Sequence, residues 1–272
     1  MGEDRIPVIQ VPAWTGNDVV DLTARRIRAL ADNPRFRKRV LAASEEDWLA
    51  TRPGSVDLWA VWSAKEAAFK AVSKLLGSPP VFRHAAFVTE LEDAGRADLT
   101  AFLGAVSCSV TASPPELAYS LVGTVRHGTD TVRVCVWVAA TAVHAVGVAN
   151  TLRSGRPATD RLPSTRPFGL ACSCSVSGGS VSGVPVLSAR ESALVRTPWS
   201  ASVRTSAKEG LAAVLAVDPG RIEILSRPVG SAGGHPPYVV VDGREAPVDV
   251  SLSHDGPWIA WSCTYDSNTT EE

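Results

Sequence analysis

The chain has 272 residues, enough for one large domain or two of ordinary size. With 45% hydrophobic and 20% charged residues it has a globular composition, and a formal net charge of −1 gives no general drive toward nucleic acid or anionic membrane. There is no apolar run of bilayer length, no signal pattern at the start and no C-x-x-C pair among the five cysteines, so a cytoplasmic protein with reduced thiols is expected.

The first informative stretch is "WTGNDVVDL", Trp14 to Leu22. Gly16-Asn17 suggests a turn and Val19-Val20 a strand, ahead of the helical pattern "TARRIRAL". Asp18 and Asp21 then lie around a strand-to-helix transition, where aspartates are common for purely local reasons. Next comes "WSAKEAAFK", Trp62 to Lys70, in a helix whose start and stop are signalled by Ser55 and by "GSPP" from Gly77. Val61, Ala64, Ala67, Ala68, Ala71, Val72 and Leu75 form one apolar arc, and Lys65 falls inside it. Trp62, Glu66 and Lys70 follow at i, i+4 and i+8 as a single stripe.

Strand-like stretches follow: "AAFVTEL", "AVSCSVTA", "LAYSLVGTV" and "TVRVCVWVAA". A segment rich in Ser, Gly, Pro and Arg then reads as a linker. Beyond it "SAKEGLAAVL", Ser206 to Leu215, repeats the opening of "SAKEAAFKAV", Ser63 to Val72, and again precedes a turn and strands. The last of these, "VDVSLSHDGPWIAW", is a hairpin with Val248, Val250 and Leu252 on one face and Ser253, His254 and Asp255 presented by its turn. The expected organisation is α+β: two similar α+β repeats forming a pseudo-dimer, at 1–149 and 186–272, joined by a linker at 150–185. Any active site would lie at their seam, and the chain is expected to be a monomer.

Only five of the 27 basic residues are lysines, and Lys65, Lys70 and Lys74 share one helix while Lys208 occupies its repeat. An ammonium on a flexible stem is a natural phosphate partner. Two accounts of the stripe stand side by side. Glu66 and Lys70 could be an ordinary solvated pair, or Glu66 could join Asp18 as an oxygen ligand of Mg²⁺ with Lys65 and Lys70 clamping a phosphate. Lys65 could equally be a stem packed in the apolar arc. Ser253, His254 and Asp255 in direct succession are not a catalytic triad, because neighbouring strand residues point to opposite faces.

"W-S-A-K-E-A-A-F-K" resembles the W-x-x-K-E-A-x-x-K signature of 4′-phosphopantetheinyl transferases, and "G-N-D-V-V-D-L" resembles their metal-binding aspartate segment. "S-L-S-H-D-G-P-W-I-A-W" is similar to their coenzyme-A-binding strand-turn. The halves stand in the opposite order to the two-repeat surfactin-synthetase type. Val20 occupies the second acidic position of that type, and His235 replaces its basic residue in "GGHPP". The resemblance implies transfer of 4′-phosphopantetheine from coenzyme A, the substrate, to an apo acyl carrier protein or a carrier domain of a polyketide or peptide synthase. It implies Asp18 and Glu66 holding Mg²⁺, with Glu66, Lys70 and Lys65 catalytic, and it leaves Asp21 open as a further ligand. Arg204, Lys208, His235, Ser253 and His254 would bind coenzyme A. No nucleic acid or membrane partner is expected. The alternative is a non-catalytic coenzyme-A- or carrier-binding module.

Overall fold

The computed structural model describes residues 13–52, 54–95, 107–112, 117–150, 168–176, 187–226 and 236–266. It is α+β, as expected, and built in four layers. The first sheet runs β1(Ala13–Asp21)-β6(Ala142–Asn150)-β5(Asp130–Ala139)-β4(Leu117–His127)-β2(Val88–Ala94), antiparallel throughout. The second runs β3(Ser107–Ala112)-β7(Phe168–Val176)-β11(Trp258–Asp266)-β10(Arg244–Asp255)-β9(Pro237–Val241)-β8(Ile222–Ser226), with only β3 and β7 parallel.

Short helices α1(Arg25–Ala31), α2(Pro34–Val40) and α3(Ala43–Ala50) precede the long helix α4(Val56–Leu76), which stops at Gly77 in the left-handed region (φ 71°). The alanine face of α4 packs on Val132, Val134 and Val136 of β5. Side chains that small let the helix come close. A Cβ on Gly16 would collide with the Ala67 carbonyl and lie 2.8 Å from Ala71 N. Gly16 therefore sits inside strand β1, and the expected turn at Gly16-Asn17 is not there. In the second half, α5(Ala189–Ser192) and α6(Pro198–Leu215) follow the same plan, with Val203, Ala207 and Leu211 packed on Ile222, Ile224, Val250 and Trp261.

The other faces of the two sheets meet. Cys135, Trp137, Val146 and Val148 of the first contact Leu170 and Cys172 of β7, and Val19 joins Cys174, Trp258 and Ala260. Phe168–Val176, inside the segment read as a linker, is thus a central strand of the second sheet, and Ser107–Ala112 of the first half is its edge.

Strand β1 is an edge strand with outward N–H groups that need acceptors. Strand β10 runs alongside it in the same direction and meets these N–H groups with side chains. The N–H groups of Thr15, Asn17, Val19 and Asp21 donate to Asp249 Oδ2 (2.6 Å), Ser251 Oγ (3.0 Å), Ser253 Oγ (3.2 Å) and Asp255 Oδ2 (3.0 Å). Lys74 of α4 closes one end of this seam. Its ammonium donates to Thr15 O (2.7 Å), Asp249 Oδ2 (3.0 Å) and Val250 O (2.7 Å).

Candidate active site

Asp18 lies two residues beyond Gly16 on the face of β1 that meets α4, and Ser63 of α4 donates its hydroxyl to the Asp18 carbonyl at 3.1 Å. One and two turns further on, the stripe brings Glu66 and Lys70 to the same place. Lys70 Nζ donates to Asn17 O (2.6 Å) and Asp18 Oδ1 (3.1 Å). Burial pushes the Asp18 carboxyl up to about 6; Lys70 opposes this, and the negative charge of Glu66 raises it further. Asp18 and Glu66 therefore feel one another's charge. His84, a residue with no motif to mark it in the sequence, brings Nε2 to 3.4 Å from Glu66 Oε1, stacks on Trp62 (4.2 Å) and meets Phe82 at a tilt (4.1 Å).

Lys65 is not part of this group. Its ammonium is fully buried and donates to Glu45 Oε2 (2.6 Å), Val40 O (2.8 Å) and His84 O (3.1 Å), which uses all three of its hydrogens. A phosphate cannot compete for it. Lys208, expected to bind coenzyme A, is placed in the same way, buried against Glu191 Oε2 at 3.0 Å. The parallel extends to the glutamates. Glu45 takes the N–H of Ala42 at the start of α3 and of Thr89 in β2, while Glu191 takes those of Ser188 ahead of α5 and Ile224 in β8. In both halves the shared "SAKE" lysine is the buried partner of a carboxylate that ties a helix start to a strand.

From the second half, Ser253 and His254 belong to strand β10 itself, with the tight turn at Gly256-Pro257 beyond them. Ser253 is buried and faces β1, whereas His254 is exposed and brings Nε2 to 3.4 Å from Ser200 Oγ of α6. Loss of surrounding water lowers the His254 pKa against the pull of Asp255, and the positive charges of Lys70 and Arg204 lower it further. Arg204 is buried, donates Nη1 to Ser200 O at 3.2 Å, and has no partner among the described residues for Nε. A buried guanidinium with an unmet hydrogen is suited to an anion. His235 lies outside the described residues. The Asp21 carboxylate accepts from Thr23 N (2.9 Å) and Thr23 Oγ1 (2.6 Å), so it caps the following turn and does not join Asp18.

The donor set formed by Asp18 and Glu66 suits Mg²⁺, which one or two carboxylates hold together with phosphate oxygens and water. A cation would favour the ionised form of Asp18 against the burial that chiefly raises it and against the repulsion from Glu66. Among the described residues no group of three or more His, Cys, Asp or Glu could hold a metal, so an ion here would take its remaining ligands from substrate and solvent. A metal held by this pair would require ionised Asp18, and a proton would compete for it as the pH falls through about 6. Mn²⁺ affinity measured by titration is therefore expected to be flat above neutral pH and to fall between pH 7 and 5. A pH-independent affinity over that interval would remove Asp18 from the ligand set.

Among known proteins, the family model described as the 4′-phosphopantetheinyl transferase superfamily matches residues 15–119, a stretch that carries Asp18, Glu66 and Lys70. The resemblance read from the motifs is borne out over that part of the chain. No curated protein matches the chain. Among the described residues no helix is long and apolar enough to cross a membrane.

Proposed function

Taking residues 15–119 as a 4′-phosphopantetheinyl transferase superfamily segment, we propose that the chain moves the 4′-phosphopantetheine group of coenzyme A to a serine of an apo carrier protein, releasing adenosine 3′,5′-bisphosphate. The observation that carries this is the convergence of Asp18, Glu66 and Lys70 at the seam, directly against the strand that bears His254.

The serine oxygen attacks the phosphorus bonded to pantetheine while the pyrophosphate P–O bond on its far side breaks. Glu66 accepts the serine proton, directly or through a water. Lys70 offsets charge on the pyrophosphate and the departing bisphosphate, and Asp18 and Glu66 would hold Mg²⁺, which when bound neutralises phosphate charge. Arg204 and His254 would hold a coenzyme phosphate. The exposed faces of α1 and α2 carry Arg25, Arg28, Arg35, Lys38 and Arg39 with Asp32 the lone acid among the exposed residues there. Such a surface suits an acidic carrier domain.

The protein is proposed to be a cytoplasmic monomer. Cys174 and Cys263 are buried thiols pushed up to about 12, consistent with unreactive core residues. Incubation with coenzyme A, Mg²⁺ and a panel of apo carrier proteins tests the reaction. The expected result is a mass gain of one phosphopantetheine on a carrier serine. Binding of coenzyme A or carrier with no mass gain on any of them would favour the non-catalytic module.

His254→Ala is expected to raise KM for coenzyme A more than tenfold, since a hydrogen bond to a charged group is worth about 1.5–3 kcal/mol. KM for the carrier should hold, and thermal unfolding should shift little because His254 is exposed. Unchanged coenzyme affinity in the folded variant would make the histidine a surface residue only.

A further inference from the structure

Ser253 stands next to His254 in the sequence, yet strand alternation sends the two side chains to opposite sides of β10. His254 faces outward against Ser200, and Ser253, only 8% exposed, faces β1. Its hydroxyl accepts the Val19 N–H at 3.2 Å and donates to Asp18 Oδ1 at 3.2 Å. A serine has one hydrogen to give. Given to Asp18, it is not available to a phosphate, whose oxygens only accept. The neighbouring rung differs: Ser251 accepts the Asn17 N–H at 3.0 Å, and among the described residues no bond to an aspartate accompanies it.

We propose that Ser253 is a positioning residue for the Asp18 carboxylate and not a contact to coenzyme A. This rests on the reading of Asp18 as a metal-holding group. Ser253 and Lys70 both bond Oδ1, from opposite halves of the chain, which leaves Oδ2 as the oxygen for an incoming cation. A carboxylate supplied by the first half is thus aligned by a hydroxyl from the second. The strand that carries the coenzyme contact His254 also sets the metal ligand, through the adjacent residue.

The test uses the full chain and two titrations: Mn²⁺ without coenzyme, followed by its paramagnetic resonance signal, and coenzyme A in metal-free buffer, followed by calorimetry. Ser253→Ala should weaken Mn²⁺ binding by about tenfold or more, the usual effect of removing a hydrogen bond to a metal ligand. Coenzyme affinity should be unchanged, and Ser253→Thr, which keeps the hydroxyl, should restore Mn²⁺ binding. Ser251→Ala removes a seam rung without touching Asp18 and should leave Mn²⁺ affinity as it was. Should Ser253→Ala not fold, Ser253→Cys, of similar size but a weak donor, goes through the same two titrations with the same expectation. Normal Mn²⁺ affinity with weakened coenzyme binding would overturn the proposal, as would an equal Mn²⁺ loss in Ser251→Ala. Wild-type protein that binds Mn²⁺ but modifies no carrier would defeat the transfer reaction separately, without touching the Ser253 result.

Discussion

Glu66→Gln is expected to lose about 10²–10⁴-fold in turnover while the protein stays folded. Gln keeps the size and the bond partner of the original side chain but can neither take a proton nor offer a full negative charge to a cation. The fold should tolerate the change, because Glu66 is at the edge of the core with 23% of its side chain exposed and a single 3.4 Å contact to His84. The same substitution also removes the charge that raises Asp18, so the Asp18 carboxyl should ionise at lower pH than in the wild type. Steady-state kinetics at saturating Mg²⁺, with unfolding followed in parallel, check the result. Near-normal turnover would reduce Glu66 to one half of a helix-surface pair.

Lys74→Met should destabilise the chain by about 3–5 kcal/mol, because it removes one partner of a buried ion pair and leaves the other uncompensated. Lys74 and Asp249 are each 4% exposed in the side chain and sit 3.0 Å apart. Burial alone lowers the lysine pKa and raises that of the aspartate, and each group's charge opposes the shift in the other. The methionine would also strand two carbonyl oxygens, those of Thr15 and Val250. In a double variant with Asp249→Asn the losses should fall short of additive, since the orphaned charge is gone. Urea unfolding of the three variants measures this. A loss below about 1 kcal/mol for Lys74→Met would mean that water reaches the seam and that the pair behaves as a surface salt bridge.

Local pattern was a reliable guide to single elements. Helix α4 runs from Val56 to Leu76 between its start and stop signals, its alanine arc is buried, and Glu66 and Lys70 line up beside Asp18. The alternation of Val248, Val250 and Leu252 correctly marked the face of β10 that packs under α6. Strand β7 was harder to see. "GLACSCSV" is made of small residues that suit loops as well as strands, and only pairing with β11 and packing on the first sheet make it a strand.

The sequence by itself determined which residues share a face, because 3.6- and 2-residue periods are properties of one element. It settled the α+β class and the stripe carrying Glu66 and Lys70, and it marked Lys65 and Lys208 as equivalent through "SAKE". Tertiary structure decided what covers each face. It put Glu45 over Lys65 and Glu191 over Lys208, turning two candidate phosphate ligands into buried struts, and it laid β10 alongside β1 so that Ser253 meets Asp18. No spacing within either segment encodes these partners. They lie between 17 and 235 residues apart and are chosen by which unsatisfied donors and acceptors the packed layers leave facing one another.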